Sequence, residues 1–356
     1  MTPSRRATRL SSSFGFTGRL FASAEDRRLA ERLDDALESI EAGLLADMRF
    51  SDALADVTGR YLLQAGGKRV RPTLTLLTAQ LGAGATDAVL AVARSVELIH
   101  LASLYHDDVM DEATMRRGVP SAQQVWGNSV AILTGDLLFA RASSLVAGLG
   151  EEAIRLQAAT FERLCLGQLH ETVGPAEDAD PVEHYLQVLA DKTGSLIATA
   201  AEMGVMMSGA PERYRAAVRE YGERVGVAFQ IVDDVIDLSP AADRTGKRAG
   251  TDLRAGVVTL PLLLLRARAQ TDAGAASLAA RLDGGAMSDG AGTDAAAEAD
   301  FDAAVAELRA HPVTADTRDT ARRWADAAVA ALDPVPDGPV RRALVRFAET
   351  VVDRDG

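Results

Sequence analysis

Six aspartates in two sets carry the chemistry this chain can do. The first set lies in LIHLASLYHDDVMDEATMRRG (98–118): Asp107, Asp108 and Asp111, with Arg116 and Arg117 close behind. The second lies in FQIVDDVIDL (229–238): Asp233, Asp234 and Asp237. In each set the outer two are four residues apart, so a helix places both on one face, about one turn apart. Carboxylates crowded on one face repel each other when ionised. A hard cation between them removes that cost. Mg²⁺ typically takes one or two carboxylates and completes its shell with water and phosphate oxygens. A lone acidic set reads equally well as a solvated helix face. Two sets, both in apolar sequence, predict two metal-binding helices facing each other across a cavity, with a polyphosphate between them.

The cations point the same way. Of 38 basic residues only three are lysine: Lys68 in GGKRVRP, Lys192 in DKTGS and Lys247 in TGKRAG. Each sits beside glycine or threonine, where a compact point charge next to pliable backbone suits a phosphate. Chance placement explains three out of three poorly. Gly66-Gly67 breaks a helical pattern and exposes Lys68, Arg69 and Arg71 before Pro72 opens the next helix. Such a turn ahead of a helix N-terminus is either an anion site or a solvated basic turn.

The elements that must position these residues read as helices throughout. Helical spacing predicts segments over 25–50, 52–64, 73–81, 88–111, 128–148, 151–173, 211–238, 259–269, 301–311, 314–332 and 339–352. A helical pair over 182–208 is broken near Lys192-Thr193-Gly194, 118–120 is a loop, and 239–256 is a polar loop carrying Lys247 and Asp252. Residues 1–24 read as a disordered tail, and the Ala/Gly/Asp-rich stretch 271–300 as a flexible insertion. No period-2 pattern is convincing, and few aromatics with much alanine favour helix packing. The expected fold is a single all-α domain over 25–356.

Composition excludes several classes. A net charge of −13 argues against a general nucleic-acid surface. One cysteine, Cys165, excludes an intrachain disulfide framework and a thiolate metal cage; it reads as a buried thiol in a cytoplasmic protein. No run approaches the roughly 20 apolar residues of a membrane span. The longest, Val257 to Leu265, is broken by Pro261.

The motifs GGKRVRP (66–72), DDVMD (107–111), RR (116–117), KT (192–193), FQIVDDVID (229–237) and GKRAGTD (246–252), in that order, resemble the trans-isoprenyl diphosphate synthases. The likeness is greatest to the bacterial long-chain polyprenyl members and covers about 25–265. It implies a large helical bundle around a central cavity. It also implies Mg²⁺-dependent, head-to-tail condensation of isopentenyl diphosphate (IPP) with an allylic diphosphate of farnesyl or geranylgeranyl type. Metal ions on the leaving diphosphate stabilise charge as the C–O bond ionises. The IPP double bond then attacks the allylic cation, and the released diphosphate takes the last proton. No nucleophile–base pair of side chains is needed.

The resemblance also assigns roles. Asp107 and Asp111 would ligate two Mg²⁺ and Asp233 a third, with Asp108, Asp234 and Asp237 in support. Arg116, Lys192 and Lys247 would clamp the allylic diphosphate, with Thr193 and Gln230 beside them. Lys68, Arg71, His100 and Arg117 would hold IPP. His100 alone would read as a core histidine; the family match reverses that. His106, beside the first set, is expected to support it from behind or to be structural. Many relatives carry Lys after the Gly of the loop behind the second set, whereas here Gly256 precedes Val257, leaving more of that role to Lys247.

Ala102 and Ser103 stand about one turn before Asp107, where short-chain relatives place bulky aromatics as a tunnel floor. Small residues there predict a longer product, in the C30–C50 range, for a quinone side chain. Val96, Ile99 and Leu133 are candidates for a deeper floor. A geranylgeranyl (C20) product is the alternative. A class I terpene cyclase or lyase, or a subunit of a heteromeric synthase, fits less well, because both aspartate sets and the 66–72 turn are intact. The family is usually homodimeric. Peripheral membrane contact for product release is a further expectation.

Overall fold

The computed structural model describes residues 23–239, 249–285 and 295–354. Capping side chains stand where the first helices begin. Ser23 Oγ accepts from Asp26 N (3.1 Å) and starts α1, Ala24–Asp47. Asp52 Oδ1 accepts from Ala55 N (2.9 Å) and starts α2, Ala53–Gln64. After α3, Val70–Ala79, Thr86 Oγ1 accepts from Val89 N (3.2 Å) and starts α4, Asp87–Met110. Each cap satisfies an N–H that a first turn leaves without a partner.

A short antiparallel ladder follows, β1 (Met115–Arg116) with β2 (Val119–Pro120). It is the only strand pairing among the described residues. Then come α5 (Ala122–Trp126), α6 (Asn128–Ala147), α7 (Glu151–Val173) and α8 (Pro181–Leu189). A π-helical turn, Ala190–Gly194, leads into α9 (Ser195–Met207). α10 runs Arg215–Asp237. The remainder is α11 (Thr251–Arg254), α12 (Leu260–Ala269), α13 (Ala273–Gly285), α14 (Ala295–Ala310), α15 (Pro312–Ala331) and α16 (Pro339–Val352). The all-α class expected from periodicity is the class observed.

By its internal packing the chain falls into two compact units. The first is Met1–Glu162, Ser195–Gly222 and Ala331–Phe347; the second is Arg163–Gly194, Glu223–Ala330 and Ala348–Gly356. In the first unit α4 is the central element. Val89, Val92, Val96, Leu98, Ile99 and Leu101 are all buried, with Arg94 and Glu97 as its charged interruptions before the last turn. It packs on α1, α3, α5, α6 and α9. In the second unit α12, α13 and α14 close one core with Leu238 and Val313, and α8 packs on α10 through Leu189, Val227 and Ile231.

Four expectations change. The stretch 271–300 is helical over Ala273–Gly285 and again from Ala295. Ala275, Leu278, Ala279 and Leu282 recur at helical spacing and are buried in the core, so this part is structural and not a loose insertion. Cys165 is exposed rather than buried. The 118–120 loop is part of the ladder. By length and mean hydropathy, α4 and α6 could each cross a membrane, although uninterrupted apolar runs showed no candidate. α4 is mostly buried and carries Arg94, Glu97, Asp107 and Asp108, which fits a core helix. Of the expected tail, residues 1–22 lie outside the described residues, and Ser23 already caps α1.

Candidate active site

In the first unit the three aspartates stand at the C-terminal end of α4, and burial separates their roles. Asp108 is fully buried, and Arg116 Nε donates to its Oδ1 at 2.6 Å. Burial raises its pKa, while the Arg116 charge and hydrogen bond pull it back. Its Oδ2 is buried with no hydrogen-bond partner. Asp107 is half-buried, and Asp111, the α4 C-cap, is exposed. The middle carboxylate therefore anchors the arginine ladder, and the outer two stay within reach of solvent. Two hard oxygen donors one turn apart fit Mg²⁺, whose other oxygens come from water and phosphate. No cluster of three or more His, Cys, Asp or Glu able to hold a metal occurs among the described residues. A carboxylate pair that shares its ion with substrate oxygens does not require one.

The 66–72 turn is built by arginines. Gly66 and Gly67 have φ of 105° and 149°. A Cβ on Gly67 would lie 2.6 Å from Arg69 Nη1 and 3.1 Å from Arg117 Cζ, so only glycine fits. Arg117 donates to the carbonyl oxygens of Leu62 (3.0 Å) and Gly66. Arg69, grouped by sequence with the anion-binding cations, is structural. It is buried, pairs with Glu97 (3.0 Å) and Glu41, and donates to the carbonyls of Leu63 and Gly66.

Arg71 is left with surplus charge. Burial pushes its pKa down to about 10, Glu97 opposes the fall and Arg117 adds to it. Its Nε is buried with no hydrogen-bond partner. His100 is held well below its ordinary 6.5, first by burial and then by Arg71, Arg117, Arg69 and Arg116. The imidazole is therefore neutral and can donate one N–H. Lys68 is exposed at the edge of the turn. Arg71, His100, Arg116 and Arg117 thus stand close enough to act on one another, a cationic cluster of the kind that suits a phosphate.

Ala102 is buried and Ser103 half-buried, with Ser103 Oγ donating to the His100 carbonyl at 2.9 Å. Val96 and Ile99 are buried, whereas Leu133 is 61% exposed on the single chain. His106 is structural: Nε2 meets the Ile132 carbonyl oxygen at 3.1 Å, and a Cβ on Gly135 would lie 2.3 Å from the same atom.

In the second unit Asp234 is buried at the end of α10. Burial raises its carboxyl to about 8, and hydrogen bonds from Tyr185 and Gln230 work against the rise. Tyr185 Oη is the donor to Oδ2. Asp237 Oδ2 accepts from Asp252 N (3.1 Å) and its carbonyl from Gly250 N (2.8 Å), tying α11 back to α10. Asp233, half-buried, forms an ion pair with Arg354 Nη1 at 3.0 Å. The Arg354 guanidinium stacks on Phe229, 4.6 Å from the ring centroid. A guanidinium stands here beside the carboxylate expected to hold metal. No motif marked Arg354 or Tyr185. Lys192, in the π-helical turn, pairs with Glu171 (2.5 Å), and Thr193 beside it is half-buried. Val257 is exposed behind Gly256, whose φ is 76°. Lys247 lies outside the described residues.

Helices ending in carboxylates, with a buried excess of cation beside one of them, define a helical enzyme that handles diphosphates. The chain belongs to the polyprenyl synthetase family, whose model matches residues 52–284, and is a prenyltransferase. It is 44% identical to nonaprenyl diphosphate synthase of Mycobacterium tuberculosis, over 89% of this chain and 92% of that one. Its fold matches polyprenyl synthase from Caulobacter crescentus, solved with calcium and isoprenyl diphosphate. The TM-score is 0.81 at 32% identity, over 92% of this chain and 98% of that one. Geranylgeranyl pyrophosphate synthase from Corynebacterium glutamicum, solved with the same pair of ligands, gives a TM-score of 0.78 at 38% identity, over 93% and 98%.

Proposed function

We propose that this chain condenses IPP head to tail with a farnesyl or geranylgeranyl type of allylic diphosphate, giving an all-trans polyprenyl diphosphate in the C30–C50 range for a quinone such as menaquinone. The observation that carries this reading is the Arg71–His100–Arg117 cluster. It holds a buried guanidinium nitrogen without a partner and a histidine kept neutral by its neighbours. An IPP diphosphate supplies the missing acceptors. The small pair Ala102 and Ser103 and the likeness to a nonaprenyl synthase support the long product.

In this reading Asp107 and Asp111 would hold two Mg²⁺ and Asp233 a third, in place of its ion pair with Arg354. Bound Mg²⁺ supplies the charge that stabilises the leaving diphosphate. Arg116, Lys192, Thr193, Gln230 and Lys247 hold the allylic diphosphate, and Lys68, Arg71, His100 and Arg117 orient IPP. The allylic C–O bond breaks, the IPP double bond forms the new C–C bond, and a proton leaves to the released diphosphate. Asp108 fixes Arg116, and Asp234 and Asp237 fix the α10 terminus.

The reading includes a cytoplasmic homodimer. Ile132, Leu133 and Leu137 on α6 and Ile154 and Phe161 on α7 are exposed apolar residues of the kind a partner covers. A product of this length is strongly apolar, so release involves peripheral membrane contact. The test is turnover with Mg²⁺, labelled IPP and farnesyl diphosphate, followed by sizing of the dephosphorylated products. A ladder beyond C20 is expected, and Asp107→Ala is expected to abolish it. A stop at C20 selects the geranylgeranyl reading. Turnover of the allylic diphosphate without IPP selects a lyase.

A further inference from the structure

The helix pair expected over 182–208 is broken by a π-helical turn, Ala190–Gly194, that carries Lys192 and Thr193. Such turns widen one helical step, are costly by themselves, and persist where side chains hold them. Here the holding groups are visible. Asp191 is buried and accepts from Arg163 Nε and Gln187 Nε2, both at 2.8 Å. Arg163 extends its other arm to Glu223, with Nη1 2.7 Å from Oε2. One guanidinium thus bridges a carboxylate inside the turn and a carboxylate on α10. The backbone completes the clamp. A Cβ on Gly167 of α7 would lie 2.8 Å from Lys192 N and 3.0 Å from the Asp191 Cβ. A Cβ on Gly194 would lie 3.0 Å from the Glu223 carbonyl oxygen.

We propose that Arg163 is a positioning residue that, through Asp191 and Glu223, fixes the π-helical turn aiming Lys192 and Thr193 at the allylic diphosphate. The inference rests on the proposed role of Lys192 and Thr193. Lysine cannot replace Arg163 fully, because a single ammonium lacks the planar fork that spans two carboxylates. Removing the guanidinium takes the charged donor from Asp191 and Glu223 together. The turn then relaxes toward a regular helix and swings Lys192 and Thr193 about its axis.

The test compares steady-state kinetics of Arg163→Gln, Arg163→Lys, Gly167→Ala and Lys192→Ala with the parent protein, varying each substrate separately. Arg163→Gln is expected to raise KM for the allylic diphosphate and to lower kcat, together by about tenfold to a hundredfold in kcat/KM, as for small misplacements of binding groups. KM for IPP should stay unchanged. Arg163→Lys should recover part of the loss. Gly167→Ala removes no charge and presses on Lys192 N, so it should reproduce the allylic-specific defect, and it carries the test if Arg163→Gln fails to fold. Equal changes in both KM values, or a loss of melting temperature with kinetics intact, would overturn the inference. If Lys192→Ala leaves the allylic KM alone, the role of Lys192 itself is wrong. If Lys192→Ala raises it while Gly167→Ala and Arg163→Gln do not, the clamp is wrong and the role of Lys192 stands.

Discussion

His100 shows how a single side chain records what its surroundings are for. Burial and four arginines keep it neutral to well below pH 6.5. In the unfolded chain it titrates near 6.5, so below that pH the unfolded state binds one more proton than the folded state. Stability therefore holds in full above about 6.5 and falls as pH drops, by up to about 1.4 kcal/mol per pH unit from this one group. Urea unfolding at several pH values between about 7.5 and 5.5 should show a steeper acid loss for the parent than for His100→Gln. Equal slopes would mean that His100 takes up its proton in the fold. Only the family motifs mark His100 as an expected phosphate contact, because spacing carries no information about burial. Spacing alone does not divide the aspartates either; the resemblance puts Asp108, Asp234 and Asp237 in support of the other three. Spacing placed all six at helix ends, but only the fold shows that Asp108 and Asp234 are buried anchors. It also shows that Arg69 is buried and paired with Glu41 and Glu97.

At the scale of elements, periodicity located most helices and failed where small residues blur it. In AGAASLAARLDGG the buried positions are Ala275, Leu278, Ala279 and Leu282, a helical face made half of alanine. Alanine and glycine score alike on the buried and exposed sides, so the stretch read as low complexity. The packing makes a definite claim. Leu278→Ala should cost about 2–5 kcal/mol by loss of buried methyl groups and the cavity left behind. Exposed Ser277→Ala, one residue away, should stay within about 0.5 kcal/mol. Denaturant midpoints of the two variants decide it, and a neutral Leu278→Ala would return 273–285 to the status of a loose insertion. The break at 192–194 was also legible, but not its nature. A π-helical turn depends on Arg163 and Gly167, far away in the sequence.

Across the whole molecule the unexplained feature is apolar surface. Leu133 is 61% exposed, and Ile132, Leu137, Ile154 and Phe161 are exposed with it in the first unit. Phe161 is backed by Phe139, with ring centroids 4.2 Å apart, so the face is ordered by its own packing. Monomers rarely keep such patches, and a stable dimer typically needs about 800 Å² from each partner. By sequence Leu133 is also a candidate tunnel floor, because sequence shows an apolar residue on a helix but not which way it turns. One substitution separates the two roles. Leu133→Glu places a charge where a second copy would bury it, which costs several kcal/mol when no partner charge answers. Sedimentation velocity should show the parent as a dimer and Leu133→Glu as largely monomer. Product length should instead respond to Ala102→Phe, which fills the buried position one turn before Asp107. A Leu133→Glu protein that still sediments as a dimer and makes shorter chains would put Leu133 back on the path of the product.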